Sequence, residues 1–193
     1  MKLYYSPGAC SLASHIALIE AGIDHEAIRV DLSNNRTETG EDFRAINPRG
    51  YVPAIESEEI GLLTENPAVL TYIADRAGAA PDGVNRYRML EWIAFTNTEI
   101  HGSYHPLFGG DGEERQAKAK QKLADRYKLA DRLMDGADWL VGDRATVADN
   151  YLFVTLLWAD KFGVELPERL EDFRERNERR AAVRQALKAE GLA

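Results

Sequence analysis

The chain has 193 residues, 45% of them apolar, and its 32 acidic against 24 basic side chains leave a formal charge of −8 at pH 7. That balance excludes the broad basic surface a nucleic-acid or anionic-membrane partner needs, and no apolar run approaches the roughly 20 residues of a membrane span. One cysteine makes no internal disulfide, and Lys2 is followed at once by strand and turn residues instead of a signal-peptide apolar region, so the cytoplasm is the expected compartment.

In chain order, Lys2-Leu3-Tyr4-Tyr5 is a short aromatic run closed by Ser6-Pro7-Gly8, the pattern of a strand ending in a turn. Leu12, His15, Ile16, Leu18 and Ile19 then recur at helical spacing, which places Cys10 at or just before a helix N-terminus. A lone cysteine is most often a small buried apolar residue. A Pro-Gly loop leading into a helix start favours a functional thiol instead, and the helix dipole and unpaired amides there are expected to lower its pKa. His25 to Asp31 alternates as a second strand, Leu32 to Thr39 is polar and loop-like, and Glu41 to Ile46 makes a short helix. Tyr51 to Glu56 and Leu62-Leu63-Thr64 form a third and fourth strand around the turn Glu58 to Gly61. A helix then starts with Asn66 as its N-cap and Pro67 at its first position. The order to this point is β-α-β-α-β-β-α.

Gly78 to Gly83 is a linker by composition, and beyond it no strand signal stands out. One long helix is expected from Tyr87 to about Tyr104, another from Glu113 to Met134, and a third opens on the capping box Thr146-Val147-Ala148-Asp149. The third is apolar nearly all round from Tyr151 to Trp158, hence central. Two short helices, about 167–177 and 178–190, finish the chain. The expected organisation is an α/β domain over 1–77, a linker over 78–85 and an all-α domain over 86–193.

A thiol after the first strand, facing a proline at the start of a later one, is the arrangement of a thioredoxin-like domain. There the residue before the proline, Val52, presents backbone groups to which a peptide adds as a short strand. Taken alone, Pro53 is equally an ordinary edge-strand proline. Ala13 stands where a second cysteine would close a redox pair, so any thiol partner comes from outside. Glu65 can pair an ammonium while Asn66 and the following helix amides receive a carboxylate, which suits a γ-glutamyl group; both residues also suit simple capping. His101 and His105 share a helical spacing, but no third ligand lies at usual metal spacing, and no metal is expected.

Several motifs together resemble the bacterial beta-class glutathione S-transferases: the stretch 1–15, Asn47-Pro48-x-Gly50-x-Val52-Pro53, Leu63-Thr64-Glu65, Glu91-Trp92, Glu99-Ile100-His101, Tyr104-x-Pro106-Leu107-Phe108 and Gly142-Asp143-x-x-Thr146-Val147-Ala148-Asp149. The resemblance implies a thioredoxin-like N-terminal domain, an all-α C-terminal domain, a homodimer, and glutathione as co-substrate with no resident cofactor. It further implies that Cys10 lies beside the glutathione sulfur, that Val52 holds its cysteinyl unit, and that Glu65 and Asn66 hold the γ-glutamyl end. Thr98, Glu99 and His101 would approach the tripeptide from the second domain, with His101 facing Cys10 and donating to a sulfur or polarising the electrophile. Asn35 stands where the family often has a lysine for the glycyl carboxylate, with Arg36 next to it; Gly102 and Ala94 replace a common Lys and Asn. The expected function is conjugation of glutathione to small, largely apolar electrophiles, with Tyr104, Leu107, Phe108 and Trp158 as pocket candidates. The alternatives are a thiol–disulfide reductase working through a Cys10 mixed disulfide, and a non-catalytic binding protein on the same fold.

Overall fold

A computed structural model describes residues 1–193 and divides the chain into two compact units, Met1–Ala80 with Arg179–Ala193, and Pro81–Glu178. The first is built on a five-stranded sheet whose strands, from edge to edge, are Arg36–Thr37 (β3), Glu26–Asp31 (β2), Lys2–Tyr5 (β1), Ala54–Ser57 (β4) and Gly61–Thr64 (β5). Its central strand β1 (Lys2–Tyr5) runs parallel to β2 (Glu26–Asp31) and antiparallel to β4 (Ala54–Ser57), with Tyr4 opposite both Ile28 and Ala54. A parallel pair needs a long crossover connection, and α1 (Ser11–Glu20) supplies it. Tyr4, Ile28, Val30, Phe43, Val52 and Ala54 form one buried cluster in this unit.

Three local features differ from the sequence reading. The polar stretch after β2 contains a two-residue strand, β3 (Arg36–Thr37), paired antiparallel with Val30 and Asp31. Its hairpin turns on Asn35 at φ 55°, a left-handed conformation that Asn tolerates better than most residues. β4 starts at Ala54, not Tyr51, because Pro53, joined to Val52 by a cis peptide bond, has no N–H for the ladder. After β5 (Gly61–Thr64), α3 (Asn66–Arg76) takes Glu65 in the N-cap position, so Asn66 is its first residue and not its cap.

The domain boundary also differs from the expected 86–193. The helix α9 (Ala181–Ala189) packs on α1 in the first unit. His15, 3% exposed, meets the Glu190 carboxylate at 2.9 Å, and the other carboxylate oxygen accepts from the Gly8 N–H at 2.9 Å. Arg180 adds an ion pair to Glu20.

The second unit is helical. α4 (Val84–Phe95) does not run on as regular helix to Tyr104; it widens into a π turn over Thr96–Ile100, tightens into a 3-10 turn over His101–Tyr104, and gives way to the short α5 (His105–Phe108). Pro106 begins this last turn instead of ending the helix, as a residue without an N–H can at a first helical position. α6 (Glu113–Met134) has the expected bounds. α7 (Val147–Phe162) is buried on almost every face and opens on the expected capping box: the Asp149 carboxylate accepts from the Thr146 N–H at 2.7 Å, and the Thr146 hydroxyl accepts from the Ala148 N–H at 3.3 Å. α8 (Glu168–Glu178) completes the unit. No helix is long and apolar enough to cross a membrane.

Candidate functional site

The loop after β1 is held from within. Ser11 Oγ accepts from the Ser6 N–H at 3.2 Å and donates to the Ser6 carbonyl at 3.3 Å, while Ala9 N–H closes back on the same carbonyl at 3.0 Å. Glu190 holds the Gly8 amide between them. These bonds place Cys10 as the N-cap residue of α1, half-buried, with its Sγ 3.3 Å from the Val52 carbonyl. Since that oxygen can only accept, the sulfur is the donor and carries its proton.

The expected drop in the Cys10 pKa is reversed. Burial pushes the thiol up to about 12, outweighing the backbone N–H groups of Cys10 and Ser11 that favour the thiolate. The helix-terminus effect is present, but the desolvation of the anion is larger.

Val52 is thus the partner of Cys10 through its carbonyl, and its N–H makes no hydrogen bond within the chain. A backbone unit next to a thiol, with one free donor, is suited to an extended cysteinyl ligand. Gly50, two residues before it, has φ 69°, and a Cβ there would come within 2.9 Å of Asn35 Oδ1. A side chain there is strained by its conformation, and Asn35 would also have to move aside.

Glu65 adopts φ 71° and ψ 114°, a backbone conformation costly for a residue with a Cβ. Its carboxylate is exposed and pairs with Arg49 at 3.1 Å. Strain of this kind persists where the surroundings enforce it, and here it presents an acidic group beside the free amides at the start of α3. Asn66 behaves differently from expectation. It is 4% exposed; its Oδ1 accepts from Ser14 Oγ at 2.8 Å and its Nδ2 donates to the Cys10 carbonyl at 3.1 Å. Both ends of the side chain join α3 to α1, so only its backbone N–H is left for a ligand.

Asn35 is likewise turned inward, its Oδ1 buried against Gly50 without a hydrogen-bond partner. Arg36, the candidate substitute for a lysine, donates to the Gly40 carbonyl of its own hairpin at 2.9 Å.

The second unit holds the remaining candidates. Thr98 Oγ1 donates to the Ala94 carbonyl at 3.0 Å, and Glu99 lies 3.6 Å from Arg126. His101 sits where the π turn becomes the 3-10 turn, its ring edge-on to Trp158 at 5.0 Å between centroids and stacked on His105 at 6.2 Å. Its Nδ1 is 2.7 Å from the Tyr151 hydroxyl, which donates to Asn97 Oδ1 at 2.8 Å. Burial, then the neighbouring His105, lowers the His101 pKa to about 4, so the imidazole is neutral at physiological pH. Tyr104, Phe108 and Trp158 form one aromatic cluster in this unit: the Trp158 ring is edge-on to Tyr104 at 5.3 Å and to Phe108 at 5.1 Å, and the buried Tyr104 hydroxyl meets that of Tyr127 at 2.9 Å. Tyr151, Asn97, Arg49 and Glu190 were not visible as site residues in the sequence, because each acts through a partner distant along the chain.

Family models for the glutathione S-transferase N-terminal domain and C-terminal domain match residues 8–76 and 89–180. The chain is 41% identical, over the whole of both proteins, to glutathione S-transferase GstA of Escherichia coli O157:H7. Among solved structures, a sphingomonad glutathione S-transferase complexed with glutathione is 43% identical with a TM-score of 0.95, covering 100% of both chains. The bacterial beta-class enzyme of Sphingomonas chungbukensis is 40% identical at the same TM-score and coverage.

Proposed function

Because this chain belongs to the glutathione S-transferase family and is a glutathione transferase, we propose that its first unit binds reduced glutathione in extended form along Val52 and directs the sulfur to Cys10. The observation that carries this reading is the 3.3 Å contact between Cys10 Sγ and the Val52 carbonyl, in a loop fixed from three sides. The cysteinyl unit takes the Val52 N–H and displaces Cys10 from the carbonyl. The Cys10 S–H then turns to donate to the glutathione sulfur, stabilising its thiolate without ionising itself. Glu65 takes the γ-glutamyl ammonium, and the first amides of α3, including that of Asn66, take its carboxylate. Asn35 contributes at most a neutral hydrogen bond to the glycyl end.

In the second unit His101 is the residue assigned to glutathione, with Thr98 and Glu99 flanking it. The reaction is attack of the glutathione thiolate on a small, largely apolar electrophile: an S–C bond forms, the leaving group departs with its electron pair, and the thiol proton passes to solvent. Glutathione is the co-substrate and no resident cofactor takes part. The working form is a cytoplasmic homodimer. A protonated Cys10 speaks against thiol–disulfide exchange as the main activity, since that reaction requires the thiolate.

Calorimetric titration with reduced glutathione, repeated on Glu65→Ala, tests the site. Saturable binding that weakens about tenfold or more in the variant is expected, the loss of roughly one charge-assisted contact. No binding at millimolar glutathione, or equal affinity in both proteins, sinks the assignment. Turnover of an activated chloronitrobenzene by the wild-type protein tests the reaction itself.

A further inference from the structure

A neutral imidazole has one N–H and one lone pair, and which nitrogen carries which decides what it can do to a ligand. At His101 the answer is written into a chain of three side chains on the second unit. Asn97 Oδ1 accepts from the Tyr151 hydroxyl at 2.8 Å. With its single proton directed there, the hydroxyl can only accept from His101 Nδ1, 2.7 Å away.

We infer that Tyr151 is a positioning residue that holds His101 in the Nδ1–H form, so that Nε2 presents a lone pair and accepts where a donor had been expected. The inference rests on the reading in which His101 contacts glutathione, and it changes what that contact is. An Nε2 acceptor receives the S–H of glutathione as a hydrogen bond; with a pKa of about 4 the ring orients that proton on its way to solvent and does not keep it. The same ring, while neutral, cannot donate to a thiolate or to an oxygen of the electrophile. Asn97 and Tyr151 are separated by 54 residues, so the pairing that sets the tautomer has no local sequence signal, and the donor role expected for His101 came from the family resemblance alone.

Long-range 1H–15N spectra of the imidazole at neutral pH read the tautomer directly, independent of turnover. Wild-type protein is expected to show a protonated Nδ1 and an unprotonated Nε2 at His101. Tyr151→Phe removes the acceptor and is expected to release the ring into a mixture dominated by Nε2–H. Asn97→Ala, at a half-buried position, does the same by freeing the tyrosine to donate, whereas Asn97→Asp keeps an acceptor and preserves the wild-type tautomer. Conjugation kcat is expected to fall about tenfold or more in Tyr151→Phe and Asn97→Ala, with recovery in Asn97→Asp, while KM for glutathione stays within about twofold. An Nε2–H tautomer in the wild type, or no tautomer change in either disrupting variant, overturns the inference. A tautomer that shifts as described with kcat unmoved, and a His101→Ala variant equally unmoved, leaves the tautomer standing and overturns the role of His101 in the reaction.

Discussion

Cys10 stands at the end of a helix whose amides favour a thiolate, and desolvation of the same sulfur overrides them, pushing the thiol up to about 12. The unliganded protein is therefore expected to react with iodoacetamide roughly a thousandfold more slowly than an ordinary thiol at pH 7.5, since three pH units separate the thiolate populations. A rate that plateaus below pH 9 would show that the thiolate forms readily. His101 gives a second residue-scale test. Its folded pKa, about 4, lies below the ordinary value of 6.5, so in between the unfolded chain binds the extra proton. The associated stability is complete above pH 6.5 and is lost as pH falls through 4. Allowing for partial exposure it amounts to something on the order of 2 kcal/mol. Urea midpoints of wild type and His101→Gln are expected to converge between pH 7 and pH 4; a constant gap contradicts the assignment. The sequence put Cys10 and Glu65 next to helix starts and Val52 before a strand-opening proline, because turn residues and a helix start are local signals, and the structure places them there. Sequence spacing could not locate the direction of the Asn66 side chain, which is set by Ser14 and the Cys10 carbonyl, 52 and 56 residues away. The sign of the Cys10 shift was hidden for the same reason: desolvation is a property of the packed unit.

Elements with a complete local code were legible to the residue. Thr146 and Asp149 announce the start of α7, and the structure adds a third bond, from the Leu140 N–H to the Asp149 carboxylate at 2.9 Å. Replacing Asp149 by Ala leaves the buried Leu140 and Thr146 amides without this acceptor, and a loss of about 2–4 kcal/mol is expected in chemical denaturation. A loss under about 0.5 kcal/mol would mean that the box contributes little. Elements fixed by pairing or by neighbours were harder. β3 is two residues long and exists because β2 offers an edge, not because Arg36 and Thr37 carry a strand pattern. The π and 3-10 turns between Thr96 and Tyr104 read as continuous helix, since i,i+4 and i,i+3 periodicities overlap over so few residues.

At the scale of the whole chain, α9 belongs to the unit that begins the sequence, and no local signal could reveal it. Glu190 is the join: one carboxylate contacts both Gly8 and His15 out of water. Glu190→Ala is expected to lower stability by about 2–4 kcal/mol by removing the carboxylate that the buried His15 ring and the Gly8 N–H share, and to weaken glutathione binding because Gly8 lies in the Cys10 loop. Calorimetry and denaturation on the same variant check both; unchanged affinity together with lost stability would confine Glu190 to a purely architectural role. Synthesis on the ribosome gives this arrangement a temporal side. The helical unit, Pro81–Glu178, is continuous and emerges whole, whereas the sheet-bearing unit must wait for Arg179–Ala193 before α1 is covered. The thiol loop is translated before the helical unit and secured only by residues that follow that unit, so a nascent chain carries its future reactive loop incomplete, and open to chaperones, until translation has passed the entire second unit.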